Sequence, residues 1–282
     1  SGAITTHDLI QVGGTSVDVG ATDFSVNGEL LAADTTNNRL IEIDLVNPDT
    51  ASEARSAGGA LSADLIGLAS SADGRFYSMF NGGIADELWV SADALYQLTP
   101  QDTNSDTIDD DVVAARQTAL VELLGGEQVA VTDAAEFVGL AFAPNGTLYA
   151  VRDADLTTAT PGSTLVTIDT ASGEVTELGA IEDGAGGGLN TIAIDFTPGG
   201  SMIGLHDPDV TVDAGDRQLV SINLSDPSDS MVLANLTAAE DDLVGLGSDP
   251  AGLFYSIADF TGVNDELLVS TNVQELFEIS TT

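Results

Sequence analysis

Two sets of oxygen-bearing residues in this sequence have spacing that could do chemistry. The first is Asp102, Asn104, Asp106, Ile108 and Asp110. Side-chain oxygens at positions 1, 3, 5 and 9, with the Ile108 carbonyl at position 7, suit calcium, which takes about six to eight hard oxygens from a flexible loop. Thr107 stands where such loops turn on glycine, and Val113 where they end on a bidentate acid. A solvated acidic surface loop is the competing reading. The second set is Asp18, Asp64, Glu136, Asn190 and Asp242, each opening an apolar run. Gathered at one place, these residues could hold calcium or raise one another's pKa for acid–base work. The competing reading is that each caps its strand and meets water.

Other catalytic groups are scarce. The histidines are His7 and His206, and a lone histidine at a strand end is more often structural than catalytic. No Gly-x-Ser-x-Gly occurs. The glycine-rich link Gly184 to Gly188 lacks the Lys-Ser/Thr of a phosphate loop. Trp89 lies in Asp86-Glu-Leu-Trp-Val-Ser91, which recurs as Asp265-Glu-Leu-Leu-Val-Ser270, so duplication and packing explain it.

The elements that must position these groups form an internal repeat. Glu136-Phe-Val-Gly-Leu-Ala-Phe-Ala-Pro-Asn-Gly146 reads as strand and turn, and four further copies open at Asp18, Asp64, Asn190 and Asp242. In each, a glycine follows ten positions after the opening residue: Gly28, Gly74, Gly146, Gly200 and Gly252. A second apolar run follows each glycine, and a third comes after a variable loop, at 40–43, 95–98, 165–168, 219–222 and 276–279. Outer strands are expected at 119–124, 174–178, 231–236 and 52–56. Four short strands per repeat, the innermost apolar, predict an all-β, five-bladed β-propeller. The expected blades are 15–58, 59–126, 127–181, 182–236, and 237–282 plus 4–14, in one domain of residues 1–282. The last blade is expected to close by pairing of Asp8 to Val12 with Glu275 to Ile279. Ala21, Gly67, Gly139, Ala193 and Gly245 sit mid-strand, which predicts a narrow channel poor in functional groups.

Leu165-Val-Thr-Ile-Asp-Thr-Ala-Ser-Gly173 with Thr176-Glu-Leu-Gly179 resembles the repeats of YVTN and NHL-like propellers of prokaryotic cell surfaces. That resemblance implies a fold and leaves the function open. The 102–110 run resembles the calcium loops of dockerins and thrombospondin-type repeats. Six-bladed calcium-dependent lactonases and phosphotriesterases use a ring comparable to that of Asp18, but their motifs are absent here.

Composition narrows the partners. Six arginines and no lysine face 46 acidic residues, a net charge of -40. Nucleic acid and anionic membranes are excluded as partners, and high salt or divalent cations are the settings that tolerate such a surface. With 43% hydrophobic residues the acid sits on a folded body. No cysteine is present, and no stretch is long enough to span a bilayer. Ser1-Gly2-Ala3 reads as the start of a mature, secreted or cell-surface chain of prokaryotic origin in a saline environment. The sequons at Asn145, Asn223 and Asn235 are read as chance. With 5% aromatic residues, a sugar-binding lectin is disfavoured. The expected function is a non-catalytic structural, self-assembling or adhesive surface protein, stabilised by calcium, whose partners are copies of itself or other surface proteins. The alternative is a calcium-dependent hydrolase of lactonase or phosphotriesterase type working at the channel mouth.

Overall fold

The computed structural model describes residues 4–25, 27–34, 39–47, 50–56, 65–81, 86–91, 114–119, 121–124, 127–130, 137–152, 162–208, 217–236, 243–260 and 263–270. The chain opens with β1 (Ile4–Leu9), then a hairpin of β2 (Gln11–Val12) and β3 (Thr15–Ser16). A first antiparallel sheet comprises β4 (Val19–Phe24), β5 (Leu30–Asp34), β6 (Arg39–Ile43) and β7 (Ser52–Ser56). A second comprises β8 (Leu65–Ser70), β9 (Phe76–Asn81), β10 (Asp86–Ser91) and β11 (Ala114–Ala119). The hairpin of β12 (Val121–Leu124) and β13 (Glu127–Ala130) precedes the third sheet, β14 (Phe137–Phe142), β15 (Leu148–Arg152), β16 (Thr164–Ile168) and β17 (Glu174–Ala180). It joins that sheet through parallel pairing of β12 with β17. The fourth sheet is β18 (Thr191–Phe196), β19 (Met202–His206), β20 (Gln218–Ile222) and β21 (Met231–Asn235). The last holds β22 (Leu243–Ser248), β23 (Phe254–Phe260) and β24 (Val263–Ser270), with β1 paired antiparallel to β24.

The repeat follows from its turns. Gly28 N–H donates to the Ser25 carbonyl at 2.9 Å, and Ser25 N–H to the Glu29 carbonyl at 2.8 Å. The same closure recurs at Ser71/Gly74, Ala143/Gly146, Thr197/Gly200 and Asp249/Gly252. The five glycines have φ of 82 to 85°. This is a type I turn followed by a left-handed residue, so the glycine is required at that point. The turn joins the innermost strand to the second, and both are buried: every residue of β5 and β19 is buried.

The innermost strands pack in cyclic order, β4 on β8, β8 on β14, β14 on β18, β18 on β22, and β22 on β4. The apolar core is correspondingly divided into clusters between neighbouring sheets. Ala33, Leu31, Leu68 and Phe76 join the first and second. Tyr77, Phe137 and Leu140 join the second and third. Val151, Ile194 and Phe196 join the third and fourth. Leu205, Leu243 and Leu246 join the fourth and last. Tyr255, Ile257, Phe24 and Ile41 join the last to the first. At three of these seams a tyrosine from one second strand meets a phenylalanine of the next innermost strand. The ring centroids are 4.9 Å apart for Tyr77–Phe142, 5.0 Å for Phe24–Tyr255 and 5.5 Å for Tyr149–Phe196. Ring pairs at such separations add about 0.5–1.5 kcal/mol beyond area burial.

Several strands lie elsewhere than the sequence suggests. The strand paired with the end of the chain's described portion is Ile4–Leu9, not Asp8 to Val12, and its partner is Val263–Ser270. Gln11 and Val12 are instead used by the hairpin around Gly13 and Gly14, whose φ of 61° and 79° suit a two-residue turn. In the second and last sheets the third strand is the duplicated Asp86–Ser91 and its counterpart within Val263–Ser270. Each lies nearer the second strand than the expected runs at 95–98 and 276–279, which fall outside the described residues. A nearer run closes the hairpin at lower loop entropy. The outer strand of the second sheet is accordingly Ala114–Ala119, and Val121–Leu124 is left to pair with the third sheet.

Candidate functional site

The innermost strands surround a cavity of about 320 Å³. It is lined by Ala21, Gly67, Gly139, Ala193 and Gly245, the five small residues expected there, together with apolar neighbours such as Leu68 and Leu246 and the Thr22 hydroxyl-bearing side chain. Gly67 and Gly245 have φ of 68° and 71°. A Cβ on Gly67 would stand 2.9 Å from the Leu140 Cβ, and one on Gly245 2.6 Å from Thr22 Oγ1. The channel is narrow because backbone approaches backbone at these glycines.

At the mouth where the innermost strands begin, the predicted ring is described at two positions. Asp18 is exposed, and Asn190 is buried at 3% exposure. Asp64, Glu136 and Asp242 lie outside the described residues, as do Asp102, Asn104, Asp106, Ile108 and Asp110 of the acidic loop. Among the described residues no group of three or more His, Cys, Asp or Glu could hold a metal ion. Asn190 Oδ1 is buried without a hydrogen-bond partner. The Asn190 backbone carbonyl lies 2.9 Å from His206 Nδ1 and also accepts Asp207 N–H at 2.8 Å. A carbonyl neighbour assigns the proton to Nδ1, which leaves Nε2 as the basic nitrogen. Burial lowers the His206 pKa below its usual value, against the opposing pull of the Asn190 carbonyl and of Asp207. Asp207 forms an ion pair with Arg217. By sequence His206 reads as a lone, structural histidine; strand pairing of Thr191 with His206 brings it beside Asn190 at the start of β18.

The other end of the same strands holds groups that sequence reasoning missed. Asp23 and Asp195 occupy the same repeat position in β4 and β18. Asp23 Oδ1 accepts Phe24 N–H at 2.7 Å, and Oδ2 accepts Ser70 N–H from the next sheet. Asp195 likewise faces the backbone N–H groups of Phe196 and Ser248. Burial pushes the Asp23 carboxyl up to about 7. Burial, and then the charge of Asp23, hold Asp195 well above the usual carboxylate range. Asp195 is 9% exposed and its Oδ2 has no hydrogen-bond partner; neither do the buried Thr22 Oγ1 and Ser248 Oγ. The signal was present in Thr-Asp23-Phe and Ile-Asp195-Phe, an acid inside two otherwise apolar runs at one repeat position.

The glycine link Gly184 to Gly188 is closed on itself. Asp183 Oδ1 accepts Gly187 N–H at 2.8 Å and Ala185 N–H at 2.9 Å, which lowers its pKa. Those amides are therefore not left for a phosphate.

No family model matches the chain, and no curated protein matches it in sequence. Solved structures do. The PQQ-bound aldose sugar dehydrogenase of Streptomyces coelicolor is 14% identical, with 96% of this chain and 98% of that one covered and a TM-score of 0.51. A putative oxidoreductase (glucose dehydrogenase) of Thermus thermophilus is 13% identical, with 95% and 100% covered and a TM-score of 0.50. An engineered GH43 glycoside hydrolase is 10% identical, with 96% and 52% covered and a TM-score of 0.52. The fold is a β-propeller.

At these identities the likeness establishes architecture alone. It nevertheless corrects two expectations. The propellers that the chain resembles are sugar dehydrogenases and a glycoside hydrolase, so the likeness to YVTN and NHL-like surface repeats reaches the propeller fold and not that name. The expectation of a non-catalytic structural or adhesive protein, and of no enzyme, falls with it: the similar structures are enzymes, and the enzymatic alternative is the better-supported reading. The physical reason is that repeat rhythm reports blade packing, which is common to catalytic and structural propellers.

Proposed function

We propose that this chain is a propeller enzyme, a hydrolase that acts on a small sugar-derived ester or lactone at the channel mouth where the innermost strands begin. The observation that carries this reading is Asn190. Its buried amide oxygen beside His206 has no hydrogen-bond partner among the described residues, so a ligand that donates to it would offset its desolvation. His206 Nε2 is the group assigned as general base, since Nδ1–H is committed to the Asn190 carbonyl and burial keeps the ring neutral at neutral pH. The sugar-derived substrate class is borrowed from the dehydrogenases and the glycoside hydrolase that share the fold.

Calcium belongs to the same proposal. Asn190 Oδ1 and the Asp18 carboxylate are hard donors at equivalent strand starts, and a calcium held there would polarise a substrate carbonyl. We read the propeller as five-bladed, with β1 completing the last blade. The cyclic packing of β4, β8, β14, β18 and β22 and the pairing of β1 with β24 support that reading. A secreted, saline setting is supported by the net charge of -40.

The test is hydrolysis of sugar lactones, aryl esters and phosphotriesters by the purified chain, with calcium or with a chelator. Asn190→Ala and His206→Ala should each lower kcat/KM by about 10²-fold or more, the usual contribution of a general base. Activity of the wild-type chain should rise with pH through a midpoint below about 6.5, the ordinary histidine value. Undiminished hydrolysis in both variants would move the site. Oxidation of aldoses with added quinone cofactor, and no hydrolysis, would replace the reaction class.

A further inference from the structure

We propose that the axial cavity is a binding site for a neutral, mostly apolar small molecule that carries one hydrogen-bonding atom. The apolar body fills the space between the innermost strands, and the polar atom meets the Thr22 hydroxyl. The inference does not rest on the activity assigned to the mouth.

The first observation is the shape of the cavity. Its volume of about 320 Å³ stands at the lower end of ligand pockets, about 300–1,000 Å³. Two levels of the repeat line it. Two positions inside the strand starts stand Gly20, which is exposed, and Val138 and Ile192, which are half-buried. Two positions further in, Thr22, Leu68, Leu140, Ile194 and Leu246 are all buried. The cavity is therefore open toward the strand starts and closed inward.

The second observation is polarity. Among the lining residues Thr22 alone carries a polar side-chain atom. The carbonyls of the two positive-φ glycines are taken up by residues of the second strands that do not line the cavity. Ser78 Oγ donates to the Gly67 carbonyl at 2.8 Å, and Ser256 Oγ to the Gly245 carbonyl at 2.9 Å. An ion or a polyhydroxylated molecule would give up its hydration here for one side-chain hydroxyl. An apolar body instead displaces loosely held water at a gain.

The third observation is the hydroxyl itself. Thr22 is 6% exposed, and its Oγ1 has no hydrogen-bond partner. It lies against Gly245, another lining residue, where a Cβ would stand 2.6 Å from it. At this repeat position the other four copies carry leucine or isoleucine, so the blade does not require a hydroxyl there. A buried water keeps about three hydrogen bonds, and the side chains here offer it one. A ligand with a single polar atom needs only that one.

The experiment is isothermal titration of the whole purified chain with 1-hexanol, and then with sorbitol, which has the same six carbons fully hydroxylated. One saturable hexanol site per chain is expected, and sorbitol should not displace the alcohol from it. Thr22→Val should weaken hexanol by about threefold to tenfold, the worth of one neutral hydrogen bond. Val138→Trp, which sets an indole at the opening, should abolish hexanol binding. Ile192→Trp on the neighbouring innermost strand repeats that test if Val138→Trp does not fold, and Thr22→Val carries it if neither does. Absence of saturable hexanol binding in the wild-type chain, or displacement by sorbitol, would overturn the proposal. So would wild-type affinity in Thr22→Val or in a folded tryptophan variant.

Discussion

The seams between neighbouring sheets are of two kinds. Tyr77–Phe142, Tyr149–Phe196 and Tyr255–Phe24 close three of them with aromatic pairs. At the other two, serine replaces the phenylalanine, leucine or isoleucine replaces the tyrosine (Leu31, Ile203), and the preceding strand carries an aspartate. There Asp23 reaches Ser70 N–H and Asp195 faces Ser248 N–H. An aromatic seam satisfies itself, since it buries area and leaves no polar atom over. A polar seam satisfies a backbone donor but leaves oxygens in excess. In a repeat protein the residues every copy shares are explained by the backbone, and the positions where copies differ are where specific chemistry resides.

The largest effect should come from a change that breaks both kinds of seam together. Deleting residues 1–14 removes β1 from β24, and the sheet so exposed supplies both Ser248 and Tyr255. Cooperative urea unfolding of the monomer should be lost. A truncated monomer that unfolds as sharply as the full chain would show that β1 is dispensable to it.

Single substitutions should then separate the seams. Tyr77→Ala should cost about 3 kcal/mol or more, as truncation of a buried aromatic does. Asp195→Asn should have the opposite sign in chelator and raise the urea midpoint, because it removes a carboxyl that burial, and then the charge of Asp23, disfavour in its ionised form. Equal losses from the two variants would erase the distinction between seams.

The pH response sharpens the comparison further. Asp23 has a folded-state pKa of about 7 against 3.8 when unfolded, so between those values the folded chain holds more protons. In chelator its contribution is therefore fully present below about pH 4 and lost as pH rises through about 7. Asp23→Asn should flatten that slope and Tyr77→Ala should not, as measured by Tm across pH 4 to 8. The smallest effect concerns the surface, which both kinds of seam share. With a net charge of -40, monovalent salt from roughly 0.1 to 1 M should raise Tm as the Debye length falls from about 10 to 3 Å. A flat response would mean that bound ions already neutralise the acids.

Much of the architecture was legible in the chain. The turn glycines, the apolar innermost runs and the small residues of the channel all stand where the repeat places them, because each obeys a local rule of backbone conformation or side-chain alternation. The third strands of the second and last sheets were misread. Asp86–Ser91 and its copy read as a duplicated segment ahead of the expected third strands, and whether such a run pairs depends on which neighbour reaches it first.

The candidate sites divide in the same way. Asn190 could be named from its repeat position, but its burial and its contact with His206 required β18 and β19 to be paired. Asp23 and Asp195 are 172 residues apart in the sequence and were passed over as members of apolar runs. By itself the sequence determined the repeat, the strand-and-turn unit and the acidic surface, since these follow from short-range sterics and composition. Only the tertiary structure decided which repeats became neighbours around the channel. That arrangement put two carboxylates under each other's field, out of water, with oxygens to spare.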